Sequence, residues 1–153
     1  MAVVSRLQVE LLDAPRELEG FMAGRTEDGA VVSFVGLARG RATGGEAVQT
    51  LFLEHYPGMT EQSIQDIAAD GAERFEVSDV LVVHRCGEIS PGEAIVFVAA
   101  ASRGRGEAFA AADYLMDRLK TEAAFWKRED GPDQSRWIEP TAADMQRRAR
   151  WSD

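Results

Sequence analysis

Lys120 and Lys127 are the two lysines in a chain of 153 residues. The other fifteen of its 17 Lys and Arg residues are arginines. A chain so rich in arginine uses it wherever a plain positive charge suffices. Lysine adds a primary amine, which can lose its proton or attack a carbonyl, as a guanidinium cannot. The pair lies seven residues apart in Leu119 to Glu129, LKTEAAFWKRE, beside Phe125 and Trp126. Two readings of the pair stand. One is a chemical site built on an amine; the other is an arginine-biased composition that left two lysines by chance.

Few other groups offer chemistry. His55 and His84 each close a run that reads as a strand. A histidine there is more often a satisfied, partly buried side chain than a catalytic base. Cys86 follows His84-Arg85, where neighbours could activate a thiolate. No Cys-His-Asn or Cys-His-Asp framework accompanies it, which favours a buried, inert thiol. Two histidines and one cysteine give no zinc-ligand spacing, so neither a metal nor a cofactor is expected. The stretch Ala38 to Ala47, ARGRATGGEA, lacks P-loop spacing and the GK[ST] ending. Its length and its arginines, Arg39 and Arg41, mark a functional loop. A second Gly- and Arg-bearing loop, Ser102 to Gly106, leads into a helix. Backbone N–H groups at that helix start, with Arg105, suit a phosphate. A flexible connection with solvated arginines is the equally good alternative.

The net charge of −9 argues against general binding of a nucleic acid, whose phosphates would be repelled. Positive charge is instead gathered at Arg39 and Arg41, at Arg103 and Arg105, and at Lys120, Lys127 and Arg128. A fold that joins these would make a basic pocket in an acidic protein, which suits a small anion better than a polymer. No apolar run is long enough to span a membrane. The N-terminus lacks the basic start and apolar segment of a secretory signal, and one cysteine fits a reducing compartment, so a cytoplasmic location is expected. The length suits one domain spanning 1–153 with a full core.

The elements that must carry these groups follow from hydrophobic period. Leu7, Val9 and Leu11 alternate and predict a short first strand. Asp13 is a candidate N-cap, with Pro15 in the first turn of a helix to about Met22. Ala30 to Leu37 is nearly continuously apolar and predicts a central strand. Val48 to His55 predicts a strand paired with it. Thr60 is a candidate cap for a helix to about Phe75, with Ile64, Ile67, Ala68, Gly71 and Phe75 on one face. Val80 to His84 and Ala94 to Ala101 predict two more strands around a turn region at Cys86 to Gly92. A helix runs from Glu107 to about Lys120, with Ala108, Phe109, Ala112, Leu115, Met116 and Leu119 in a stripe. This places Lys120 at a helix C-terminus, a favourable place for any cation. Phe125 to Asp130 and Arg136 to Glu139 predict a hairpin on which Lys127 shares a face with Phe125 and Glu129, opposite Trp126 and Arg128. A hairpin strand leaves Lys127 less rigidly mounted than Lys120. The tail, DMQRRARW, is a short helix or an arm. The mixture without strict alternation is α+β.

Several of these stretches together resemble one family. They are Glu54-His55-Tyr56-Pro57-Gly58-Met59; His84-Arg85 with Gly87-Glu88 and Pro91-Gly92-Glu93; Leu119-Lys120-Thr121; and Phe125-Trp126-Lys127-Arg128-Glu129. Ser33-Phe34-Val35-Gly36 followed by Arg39, and Arg136-Trp137-Ile138-Glu139, fit as well. The combination is similar to the large, catalytic subunit of molybdopterin synthase, from about Gly29 to Trp151. Any one piece alone would be weak.

The resemblance implies an α+β fold of the α/β-hammerhead kind, with a mixed, mostly antiparallel sheet, two main helices and a C-terminal hairpin. It implies a homodimer in which each protomer binds a small ubiquitin-like sulfur-carrier subunit, giving a heterotetramer. The carrier's C-terminal Gly-Gly thiocarboxylate would deliver sulfur to cyclic pyranopterin monophosphate, making the dithiolene of molybdopterin. The sulfur then arrives on the partner, so Cys86 is not needed. By position, Lys120 and Lys127 match the family's catalytic lysines. Leu37, Ala38, Arg39, Gly104, Arg105, Lys120, Lys127, Arg128 and Glu129 match its substrate-binding positions, and Met116 would line the pocket. The family's usual His-Arg pair falls on Gly104-Arg105, so the histidine is missing here. Arg103 cannot replace it as a base at neutral pH. The alternative from another class is a non-catalytic module that binds a phosphorylated metabolite or a carrier-protein tail.

Overall fold

The computed structural model describes residues 1–152. In chain order the elements are β1 (Ala2–Gln8), α1 (Ala14–Met22), β2 (Ala30–Leu37), β3 (Thr50–His55), α2 (Met59–Arg74) and β4 (Asp79–Arg85). They continue with β5 (Gly87–Ile89), β6 (Ala94–Ser102), α3 (Arg105–Glu122), β7 (Phe125–Asp130), β8 (Ser135–Ile138) and α4 (Ala142–Ala149). The strands form two four-stranded sheets, ordered β1-β4-β6-β2 and β5-β3-β7-β8. Among the described pairings, β1 with β4 is parallel and the others are antiparallel. The architecture is α+β.

The core follows from the pleat of β6. Val96, Val98 and Ala100 point to one face, where Ile64, Ile67 and Ala68 of α2 and Ala111, Leu115 and Leu119 of α3 cover them. Phe97, Ala99 and Ala101 point to the other, against Leu12, Ala14 and Phe21 around α1. A strand buried on both faces reads as a continuous apolar run, which AIVFVAAA is. Truncating Leu115, fully buried between the helices and this sheet, would cost about 2–5 kcal/mol. The second sheet has a smaller core of Leu51, Leu53 and Ile89 with Ala38, joined by Ile95 and Phe125.

Several expectations need correction. The first strand lies earlier than Leu7–Leu11: its ladder ends at Gln8↔Arg85. The Gln8 amide then donates to Glu10 and Leu11 carbonyls, turning the chain, and Val9 and Leu11 stay exposed. The helix that follows is capped by Asp13, as the sequence predicts. β2 has the expected span but is an edge strand, and Phe34, Val35 and Leu37 are exposed on it. β3 does not pair with β2; it lies in the other sheet between β5 and β7. The turn region after Cys86 contains β5, which completes that sheet. Thr60 is not the cap of α2: Gly58 is, at φ 84°, a conformation that favours glycine. α3 starts at Arg105, so Arg105 belongs to the helix and Gly104 is its N-cap. The hairpin is present, yet β7 is an inner strand held by β3 and β8, not a loosely mounted one. The tail is a helix, α4, capped by Thr141.

Candidate active site

One end of the first sheet gathers the reactive groups, and strand directions explain why. β2 and β4 both run antiparallel to β6, so Leu37 and His84 reach the end where β6 begins, opposite Ala94 and Val96. β6 has 9 residues, about 30 Å of strand. α3 has 18 residues, about 27 Å of helix. It packs back along β6 and β2 and returns to the same end, carrying Lys120 in its last turn. Three residues further on, β7 opens with Phe125 and carries Lys127.

Charge shows that these groups converge. Burial lowers the pKa of the Lys127 amine, and the charges of Lys120 and Arg39 lower it further. Glu129, on the same strand face, and Asp144, in the first turn of α4, oppose that shift. Glu129 is itself tied to Arg136 at 3.3 Å. A half-buried amine with a depressed pKa can exchange a proton nearer neutrality, which a solvated one does not. Ala38 is buried, and its N–H donates to the Glu93 carbonyl at 2.9 Å while its carbonyl accepts from Gly92 at 2.8 Å. That pair of bonds fixes the chain immediately before Arg39. Met116, one turn before Lys120, is partly buried against the main core, as are Ala123 and Phe125.

His84 belongs to this cluster. Its Nδ1 is 2.8 Å from the Arg85 carbonyl, which can accept only, so Nδ1 carries the proton of the neutral ring. Its ring stacks on Phe125 with centroids 4.4 Å apart. Burial pushes its pKa down, the bond to Arg85 opposes that, and the nearby Lys120 and Lys127 push it down further, to about 4. Sequence reasoning read His84 as a satisfied strand-end residue, which its burial and its bond support. The same reasoning missed its place beside both lysines, for which a 36-residue separation from Lys120 gives no local signal.

Three expected members lie elsewhere. Arg105 sits at the opposite end of α3 from Lys120, 15 residues or about 22 Å away. There the Gly29 N–H donates to the Ser102 carbonyl, and a Cβ on Gly29 would clash with the Arg103 carbonyl oxygen. Gly104, extended at φ −127°, offers no side chain to cap the helix. Arg128 points to the outer face of the second sheet, over the rings of Phe52 and Trp137, and pairs with Asp130 at 2.7 Å. Strand alternation separates its guanidinium from Lys127. Cys86 is buried, and burial raises its thiol pKa. Among the described residues no group of three or more His, Cys, Asp or Glu could hold a metal. No described helix is long and apolar enough to cross a membrane.

The family model described as "MoaE protein" matches residues 7–122. This chain belongs to the MoaE family. A molybdopterin synthase catalytic subunit from Caulobacter vibrioides is 52% identical over 147 residues, covering 94% of this chain and 96% of that one. The molybdopterin biosynthesis MoaE protein from Burkholderia ambifaria superposes with a TM-score of 0.81 at 40% identity, covering 100% of this chain and 99% of that one. Molybdopterin synthase from Staphylococcus aureus superposes with a TM-score of 0.77 at 28% identity over 86% of this chain and 94% of that one. The MoaE match takes in α3 with Lys120 and stops before β7, while the Caulobacter relative extends over nearly the whole chain.

Proposed function

We propose that this MoaE-family chain is the catalytic subunit of a molybdopterin synthase. It moves sulfur from the C-terminal thiocarboxylate of a small ubiquitin-like carrier onto cyclic pyranopterin monophosphate, forming the dithiolene. The observation that supports this best is the convergence of Lys120 from α3, Lys127 from β7 and Arg39 from the loop after β2 at one sheet end. The name of the Caulobacter relative, a catalytic subunit, accords with it and with the need for a second subunit.

Each residue has a role in this reading. Arg39 anchors the cyclic phosphate through charged hydrogen bonds. Backbone and side chains around Leu37, Ala38 and Glu129 shape the rim. The thiocarboxylate sulfur attacks a pterin side-ring carbon and expels an oxygen, which needs a proton; water then cleaves the acyl–sulfur bond and frees the carrier as its carboxylate, and a second carrier delivers the second sulfur. Lys120 and Lys127 supply and recover that proton, Lys127 with its lowered pKa, and the charge of the pair holds the developing negative charge. Met116 lines the apolar floor. The sulfur comes with the carrier, so the buried Cys86 takes no part.

Arg105 joins this site from a second copy of the chain. It lies about 22 Å from the Lys120 of its own chain, too far for one small substrate to touch both. A homodimer that sets one α3 start against the other protomer's lysines would complete two equal sites, and two carriers would then make a heterotetramer. The chain acts as one functional domain in the cytoplasm, in keeping with its single cysteine.

The test is direct. Purified chain, thiocarboxylated carrier and cyclic pyranopterin monophosphate are mixed, and dithiolene product is measured. Product formation that needs all three is expected. Binding of both partners without product would leave a non-catalytic binding module.

A further inference from the structure

α3 ends at Glu122 without a glycine or a left-handed cap; its C-cap, Ala123, is extended at φ −67°, ψ 137°. The helix's own end therefore does not set the direction in which the chain leaves. The connector Ala123–Phe125 lies between the two lysines, and another element holds it. Thr60, in the first turn of α2, is 0% exposed. Its Oγ1 accepts from the Tyr56 N–H at 2.8 Å and donates to the Ala124 carbonyl at 2.6 Å. Ser63, one turn on, accepts from the Ala124 N–H at 3.1 Å and donates to the Thr60 carbonyl at 2.9 Å. Both backbone polar atoms of Ala124 are thus taken by hydroxyls of α2. The next residue, Phe125, donates its N–H to the Ala123 carbonyl at 2.8 Å and stacks on His84.

We propose that Thr60 and Ser63 are positioning residues for the lysine pair: their hydroxyls pin Ala124 and so set the separation and direction of the Lys120 and Lys127 amines. This rests on the reading of those lysines as the reacting pair. A helix-to-strand connector usually satisfies its polar groups locally or with water. Here a buried polar residue occupies a core-facing position of α2 to do so. It also ties the start of α2, through Tyr56, to the same point. O–H···O bonds of this length are directional, so the clamp fixes orientation as well as contact. Removing the Thr60 hydroxyl leaves the Ala124 carbonyl and the Tyr56 N–H without this partner. The connector then relaxes, and a shift of about 1 Å at a reacting group costs on the order of 10²-fold in rate.

The experiment compares Thr60→Val, which keeps shape and loses the hydroxyl, with Thr60→Ser, which keeps the hydroxyl. Ser63→Ala removes the other half of the clamp and serves if Thr60→Val fails to fold. Ser78→Ala is the control, since Ser78 bonds Asp28 at 2.7 Å and the Ala101 carbonyl at 3.1 Å at the far end of β4. Two readouts are taken. The first is kcat and KM for sulfur transfer. The second is independent of activity: titration of 13C-dimethylated lysines by NMR, simplified by a chain with two lysines.

Thr60→Val and Ser63→Ala are expected to lower kcat by roughly 10- to 100-fold with KM within a few-fold. Thr60→Ser restores kcat, and Ser78→Ala leaves it unchanged whatever its melting temperature. The Lys127 titration moves up toward the ordinary lysine value in the clamp variants alone. The proposal is overturned if the clamp variants keep both kcat and the Lys127 titration, or if Ser78→Ala reproduces their losses. If the wild-type chain transfers no sulfur, the proposed function fails, while the titration still decides the clamp.

Discussion

The imidazole of His84 lies on the ring of Phe125, with centroids 4.4 Å apart and planes 28° from parallel. His84 sits near the end of β4 in the first sheet, and Phe125 opens β7 in the second. The stack rivets the two sheets where the lysines emerge. It also leaves a neutral, buried imidazole within the field of the Lys120 and Lys127 amines, and that has a consequence in acid.

Burial, then the charges of Lys120 and Lys127, hold His84 near pKa 4 against an ordinary 6.5. Below pH 6.5 the unfolded chain binds a proton that the folded chain refuses until about pH 4. Stability from this group is complete above 6.5 and is lost as pH falls toward 4. Urea unfolding at pH 7 and pH 5 should show a larger loss for wild type than for His84→Gln. Equal losses would place the acid sensitivity elsewhere.

Lys120→Arg and Lys127→Arg should each give a folded chain that still binds the carrier. Both keep charge and approximate reach and remove the dissociable amine. Transfer should fall by roughly 10²–10⁴ for loss of an acid–base group. Near-full activity in either variant would reduce that lysine to an electrostatic role.

Arg105→Ala and Lys120→Ala should each be inactive alone and complement each other when mixed. In a hybrid dimer one site keeps Lys120 from the first protomer and Arg105 from the second. Random exchange of protomers would return about a quarter of wild-type activity. No recovery after unfolding and joint refolding would mean that Arg105 does not cross between protomers.

The docking of α4 should fail in acid before the core does. Asp117 accepts from Trp151 Nε1 at 2.7 Å and from Arg150 at 2.6 Å, and Arg147 lies at 3.2 Å. Burial alone would raise its pKa; the hydrogen bonds from Trp151 and Arg150 and the charges of Arg147 and Arg150 outweigh this and hold it below the ordinary value. The contribution is present above the ordinary carboxylate range and lost as pH falls through the depressed one. Trp151 also meets Tyr114 and Phe75 edge-on, at 5.4 and 5.7 Å. Its fluorescence should therefore report undocking at low pH, and Asp117→Asn should show the same undocked signal at neutral pH. An unchanged Trp151 environment in Asp117→Asn would show that aromatic packing alone seats α4.

Periodicity made most elements legible, because helix stripes such as Ile64, Ile67, Ala68 and Gly71 depend on local spacing. Pairing was not legible. β3 meets β7 across Thr50↔Asp130, and nothing near Thr50 announces a partner so distant in sequence. β2 read as central because an apolar run does not say whether both edges or one will be paired. β5 is a three-residue strand inside a turn region, too short for any period. At the site, the lysines and Arg39 stood out by type and by resemblance. His84 and the Thr60–Ser63 clamp did not, since their neighbours are set by the fold. One signal for Thr60 was present: it continues the core-facing phase of α2, where a polar residue needs a buried partner.

The long-range register of the second sheet also governs when the site can come into being on a growing chain. Leu51 and Leu53 are synthesised early, but β3 pairs with β7 between 80 and 70 residues later, from Thr50↔Asp130 to His55↔Phe125. Closing so wide a loop is slow relative to local helix formation. Until β7 has left the ribosome, β3 has only three-residue β5 beside it, and Lys127 cannot yet join the folded part of the chain. The first sheet needs nothing beyond Ser102 to pair its four strands. Nascent chains halted after α3 should therefore protect β4 and β6 amides from exchange while β3 amides remain open. The end of the molecule that carries the lysine pair is then the last to ripen, and an unfinished chain does not yet hold the two amines together.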